Sequence, residues 1–133
     1  MTEHLARLQC ADLLLDTWPC NAHTTASEAL WMGVPVVTLP GRTFASRVAA
    51  SLARATGTQE LVCASEDDYV ATTVALAHDL PRLRALQQRL ADGRREHPLF
   101  DSAATTRELE ALLLRMHERH LQGLPPAHLP ARP

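Results

Sequence analysis

The chain contains no lysine; all 13 of its cationic side chains are arginine. A Schiff-base lysine and the lysine of a phosphate-binding P-loop are therefore excluded from these 133 residues. Cysteine is scarce too. Cys10, Cys20 and Cys63 are odd in number and carry no CxxC spacing, which argues against a disulfide framework or zinc knuckle and points to a reducing cytoplasm. The apolar run ending at Leu15 is far too short for a signal segment or a membrane span. Nor does charge of one sign dominate. A net charge of −2 offers no basic field for nucleic acid or an anionic membrane. No GxSxG elbow, HExxH or Walker A sequence is present.

What is present reads as an ordinary soluble domain, 46% hydrophobic and 21% charged, with chain enough for one modest core. Short apolar runs alternate with longer helical periods, the α/β pattern. A helix ends near Gln9, and Asp12–Asp16 (DLLLD) is expected to be a buried strand stopped by Thr17-Trp18-Pro19. The next helix runs from about Thr25 to Met32, with Ala26, Ala29, Leu30 and Gly33 forming a small-residue stripe against a sheet. Pro35–Leu39 is a second strand and Glu60–Cys63 a third. Between them Phe44–Thr56 reads as a helix facing the core with Ala45, Val48, Ala49 and Leu52 and stopped by Gly57. Ser65 opens a helix expected to bury Tyr69, Val70, Thr73, Val74 and Ala77. Pro81 begins another with Leu83, Leu86 and Leu90 inward, and Asp101 caps the last, with Leu109, Leu112, Leu113 and Met116 inward. Residues 123–133 read as a proline-rich, disordered tail with nothing to pack. A doubly wound nucleotide-binding sheet needs about six strands. This chain offers about three, so residues 1–122 look like the second half of such a domain.

The stretch "PCNAHTTASEALWMGVPVV", Pro19 to Val37, carries the chemistry. Ligands of open α/β sheets sit beyond the carboxyl ends of the strands, where this loop would lie. The free N–H groups and dipole of a helix start attract phosphate. Thr24 and Thr25 add hydroxyl donors, and His23 adds an imidazole. Glu28, four residues after Thr24, shares its helix face and is placed to accept hydrogen bonds from a ribose diol. Phosphate at the mouth and sugar at the glutamate make a nucleotide. Local physics leaves a second reading open, in which Thr24 or Thr25 is only an N-cap and His23 a solvated loop residue.

The block "ADLLLDTWPCNAHTTASEALWMGVPVVTLPGRTFASRVAAS" resembles the C-terminal catalytic region of the O-linked N-acetylglucosamine transferases, the family that includes the plant Spindly proteins. The likeness continues through His97-Pro98-Leu99-Phe100-Asp101 and covers residues 3 to 122. It implies an α/β fold, the C-terminal half of a GT-B-type Rossmann-like domain with about three parallel strands flanked by helices and then a helical C-terminus. It implies that His23, Thr24 and Thr25 meet the diphosphate of a UDP-sugar, and that Glu28 stands where the family often has an aspartate on the ribose. His4 matches a histidine that stacks on uracil, Arg7 an arginine beside the base, and Cys20 a position near the donor sugar, while Asn21 shapes the loop. The family lysines at ribose and diphosphate have no counterpart; Met1 stands where one would fall.

The resemblance further implies transfer of N-acetylglucosamine from UDP-GlcNAc to serine or threonine hydroxyls of an acceptor protein, without a metal or cofactor. No residue here stands as a general base. The catalytic groups and acceptor cleft would belong to a missing N-terminal lobe, so the isolated chain is expected to be inactive and to leave the Asp12–Asp16 edge open. Alternatives are a family member using another sugar donor, or a non-catalytic nucleotide-binding or interaction module. Other signals read as structural: His117 and His120 lack a third metal ligand, and the five arginines of Arg82–Arg95 are interleaved with acids. Trp31 reads as core, and Ser46 and Arg47 as the opening of a helix near the same edge.

Overall fold

The computed structural model describes residues 2–130; Met1 and positions 131–133, the last of the proline-rich stretch, lie outside them. The element order is α1 (Thr2–Leu8), β1 (Leu14–Leu15), α2 (Thr24–Trp31), β2 (Val36–Val37), α3 (Val48–Ala55), α4 (Glu66–His78), α5 (Leu80–Asp92) and α6 (Ser102–Leu121). The described chain divides at Phe100/Asp101 into two compact units.

In the first unit β1 and β2 pair in parallel, Leu14 opposite Val36 and Leu15 opposite Val37. Because alternate strand residues face opposite ways, the pair separates two apolar clusters. On one side Val36 packs with Ala26, Ala29, Leu30, Ala49 and Leu90; on the other Val37 packs with Leu61, Cys63, Tyr69, Leu76 and Leu86. The small-residue stripe of α2 behaves as expected: Ala26, Ala29 and Leu30 are wholly buried. Gly33, at φ +83°, turns the chain from α2 into β2, and Val34 N–H returns to Ala29 O at 2.8 Å. On α5, Leu83, Leu86 and Leu90 are buried, and Asp79 caps the helix by accepting from Arg82 N–H at 3.0 Å.

Several expectations are corrected. The third strand is reduced to one parallel bridge between Thr38 and Val62, so the sheet has two strands rather than three. Gln59–Leu61 coils into a 3₁₀ turn instead, with Leu61 N–H on Thr58 O and Val62 N–H on Gln59 O. Helix α3 starts at Val48, not Phe44, because Ser46 Oγ accepts from Thr43 N–H at 3.0 Å and donates to Thr43 O at 3.0 Å. Such local side-chain bonds compete with helix formation. On α4 Tyr69 and Leu76, seven residues or about two helical turns apart, are buried, whereas Val70 and Val74 are at least half exposed. Leu109, Leu113 and Met116 of α6, expected inward, are also more than half exposed. The second unit pairs α6 with the segment that follows it: Arg119 donates to Pro125 O and Arg115 to Pro130 O.

Across the first unit, Arg89 of α5 pairs with Glu60. Desolvation pushes the Glu60 carboxyl up, but the hydrogen bond from Arg89, a backbone hydrogen bond and the charges of Arg89 and Arg82 outweigh it, and the net direction is down. A depressed carboxyl stabilises the fold above its ordinary value of 4.5 and loses that contribution as pH falls through the depressed one. Arg89→Gln should therefore lower the melting temperature at neutral pH and leave it close to wild type in acid, as read by thermal melts across that range. The edge of β1 away from β2 carries no strand among the described residues, and Leu15 there is 51% exposed. Unpaired apolar edges invite pairing. The chain should self-associate in sedimentation velocity and do so less as Leu15→Lys.

Candidate functional site

Parallel pairing sends the chain out of β1 and β2 on the same side. The loop of residues 16–23 and the loop of residues 38–47 therefore lie together, joined by Asn21 N–H to Ala45 O at 2.9 Å. Within the first loop Thr17 donates to Cys20 O at 2.9 Å, and Asn21 Nδ2 donates to Thr17 O at 3.0 Å. Asn21 Oδ1 is buried with no partner among the described residues. Asp16, buried at the end of β1, accepts from Ala22 N–H and from the Thr38 hydroxyl, each at 2.6 Å. Gly41 is forced: a Cβ there would lie 2.5 Å from Ser46 Oγ.

These loops deliver the start of α2. His23 is its N-cap residue, with φ −107° and ψ −89°, and its side chain makes no capping bond. His23 Nε2 lies 3.4 Å from Ala45 O, and the ring packs edge-on against Phe44 with centroids 6.0 Å apart. Thr24 and Thr25 are exposed in the first turn, which contains no acidic residue. Neither threonine caps the helix, so that reading is set aside. By contrast α4, α5 and α6 are capped by Ser65, Asp79 and Asp101. An uncapped helix start leaves N–H groups and the positive end of the dipole available to an anion.

About 6 Å further along the axis, at the helical rise of 1.5 Å per residue, Glu28 accepts a hydrogen bond from His4 Nε2 of α1 at 3.1 Å. Two of the three residues expected at the nucleoside, His4 and Glu28, are thus in contact. Arg7, one turn after His4, is exposed and makes no ion pair among the described residues. Cys20 is exposed on the loop ahead of His23, its thiol donating to Asn21 O at 3.8 Å. Trp31, read as core, is part-buried at the margin of the core, packed against Phe100 and under Arg94. His117 and His120 are both exposed on α6, and no group of three or more possible metal ligands occurs among the described residues.

Sequence reasoning missed Asp16 and Thr38. The signal was the acid closing "DLLLD" and the hydroxyl inside "PVVTL", both read only as strand residues. Phe44, 76% exposed beside His23, was read as helix.

The pattern of glycosyl transferase family 41 matches residues 1–109. The chain belongs to that family. It is 41% identical over 96% of its length to the Arabidopsis thaliana protein named probable UDP-N-acetylglucosamine–peptide N-acetylglucosaminyltransferase SEC. It is 39% identical over 96% of its length to the UDP-N-acetylglucosamine–peptide N-acetylglucosaminyltransferase of Caenorhabditis elegans. It spans only 13% and 11% of those two relatives. A solved mutant of Thermobaculum terrenum O-GlcNAc transferase superposes with a TM-score of 0.81 at 41% identity, covering 87% of this chain and 22% of that one. The resemblance carried by "NAHTT" and "GVPVVTLPGRTFASRVAAS" is borne out. No described helix is long and apolar enough to cross a membrane.

An uncapped start also costs this family member helix stability. His23→Asp supplies an N-cap acceptor and an acid at the dipole, and should raise stability by about 0.5–2 kcal/mol, read as a higher urea midpoint with an unchanged slope.

Proposed function

We propose that this chain is the UDP-sugar-binding part of a glycosyltransferase that moves N-acetylglucosamine from UDP-GlcNAc to serine or threonine hydroxyls of proteins. In this reading residues 1–122 are the C-terminal portion of a GT-B-type Rossmann-like nucleotide-binding domain. The observation that carries it is the uncapped, acid-free start of α2 at the carboxyl ends of two parallel strands, with a carboxylate about one turn further on. The names of the relatives support the sugar and the acceptor class.

The reaction is displacement at the anomeric carbon. The acceptor oxygen forms the new bond, the bond from the anomeric carbon to the diphosphate oxygen breaks, and its electron pair leaves with UDP. Negative charge grows on the diphosphate, and fixed donors aimed at growing charge are a strong catalytic device. His23, Thr24, Thr25 and the first-turn N–H groups of α2 are the leaving-group stabilisers in this chain. Glu28, with one carboxylate oxygen engaged by His4, turns the other to the ribose, and Arg7 lies beside the base. Cys20 borders the sugar. The hydroxyl proton goes to a base outside this chain, supplied by the other catalytic lobe. The isolated chain therefore binds donor without turning it over, in a cytoplasmic setting and without a metal.

Titration of the purified chain with UDP, followed by tryptophan fluorescence from Trp18 and Trp31, tests this. Saturable binding is expected, weakened at least about tenfold, or about 1.4 kcal/mol, by the double change His23→Ala and Thr24→Ala. A folded chain that binds no UDP, and still binds none when extended by its N-terminal lobe, would overturn the assignment and favour a non-catalytic interaction module.

A further inference from the structure

Asp16 joins β2, α4, the loop before α2 and the residue after β2. Only 3% exposed, it directly follows β1. Its backbone N–H donates to Val37 O at 3.0 Å, and its carbonyl accepts from the Tyr69 hydroxyl of α4 at 2.9 Å. One carboxylate oxygen takes the N–H of Ala22, the residue just before the N-cap His23, at 2.6 Å; the other takes the hydroxyl of Thr38, just beyond β2, at 2.6 Å. The Tyr69 hydroxyl is pushed up first by burial and then by the charge of Asp16. No cation pairs with that carboxylate among the described residues.

A buried charge without a counter-ion is costly unless every lone pair finds a donor. The nearby helix start offers the N–H groups such an acid ordinarily takes, and Asp79 and Asp101 take just those groups at their own helices. Asp16 does not. Its hydrogen bonds stop at Ala22, two residues before the first residue of α2, with Thr38 holding the second oxygen in place. The chain entering α2 is thereby fixed while the first turn of the helix stays uncapped.

We propose that Asp16, clamped by Thr38, is the positioning residue of the anion mouth, locking the Ala22–His23 backbone so that the first-turn N–H groups of α2 remain for the donor diphosphate. The proposal rests on the donor-site reading given above. It separates the two halves of the nucleotide: disturbing the clamp weakens what is held at the mouth and spares what is held at Glu28 and His4.

The test uses the full chain as wild type, Thr38→Val and Thr38→Ser, titrated with UDP and with uridine while the backbone amides of Ala22–Ala26 are followed by NMR. Thr38→Val removes the hydroxyl at nearly constant volume. It should weaken UDP by about tenfold, the scale of one charged hydrogen bond, leave uridine unchanged, and move those amides. Thr38→Ser should restore all three. Should Thr38→Val not fold, Asp16→Asn replaces it with the same expectation. Equal losses for UDP and uridine, wild-type UDP binding by Thr38→Val, or no rescue by serine would overturn the proposal. Absence of UDP binding by the wild type would instead overturn the donor-site reading, and the clamp would then stand or fall on the amide shifts alone.

Discussion

Parallel pairing of two very short strands is the constraint from which the rest of the first unit follows. A parallel ladder requires both chains to leave on the same edge, so the loops after β1 and β2 have no choice but to meet. Their meeting is then fixed by polar bonds rather than by bulk: Asn21 to Ala45 across the loops and Asp16 to Thr38 behind them. With only two ladder residues per strand, the sheet supplies little of its own stability. The alanine-lined approach of α2 on one face and the Tyr69–Leu76 side of α4 on the other supply the burial that holds it.

The starts of helices α2 to α6 divide into two kinds. Those of α4, α5 and α6 are closed by side chains of their own sequence, which satisfies their N–H groups and fits an architectural role. Those of α2 and α3 are left without such caps, and both open at the edge where the strands end. Stability forgone at a helix start is gained as preorganisation if an anion arrives there, because the dipole needs no reorientation at the moment of binding. In the function proposed above, the anion that arrives there is the diphosphate of a sugar nucleotide.

Legibility in the sequence tracked the range of the interactions concerned. The α2 stripe, the leucines of α5 and the Ser65 and Asp101 caps were all readable, because each depends on residues within one or two helical turns. The third strand was not. "ELVC" has the composition of a strand, but its neighbours Thr58 and Gln59 hold the chain in a 3₁₀ turn and leave one bridge. On α4 Tyr69 is buried as expected, but Val70 and Val74 were expected inward in place of Leu76 because they are as apolar; only the packed sheet distinguishes them.

By itself the sequence determined the family, the small-residue helix that must lie close to a strand pair, and the helix start that follows "NAH", since these rest on residue identity and local spacing. Tertiary structure alone decided that the mouth is uncapped, that His4 of α1 meets Glu28 of α2, and that Asp16 reaches both Ala22 and Thr38. The reason is geometric. Twenty-four residues separate His4 from Glu28 and 22 separate Asp16 from Thr38, and only strand pairing and helix packing bring partners that distant in sequence to hydrogen-bonding range.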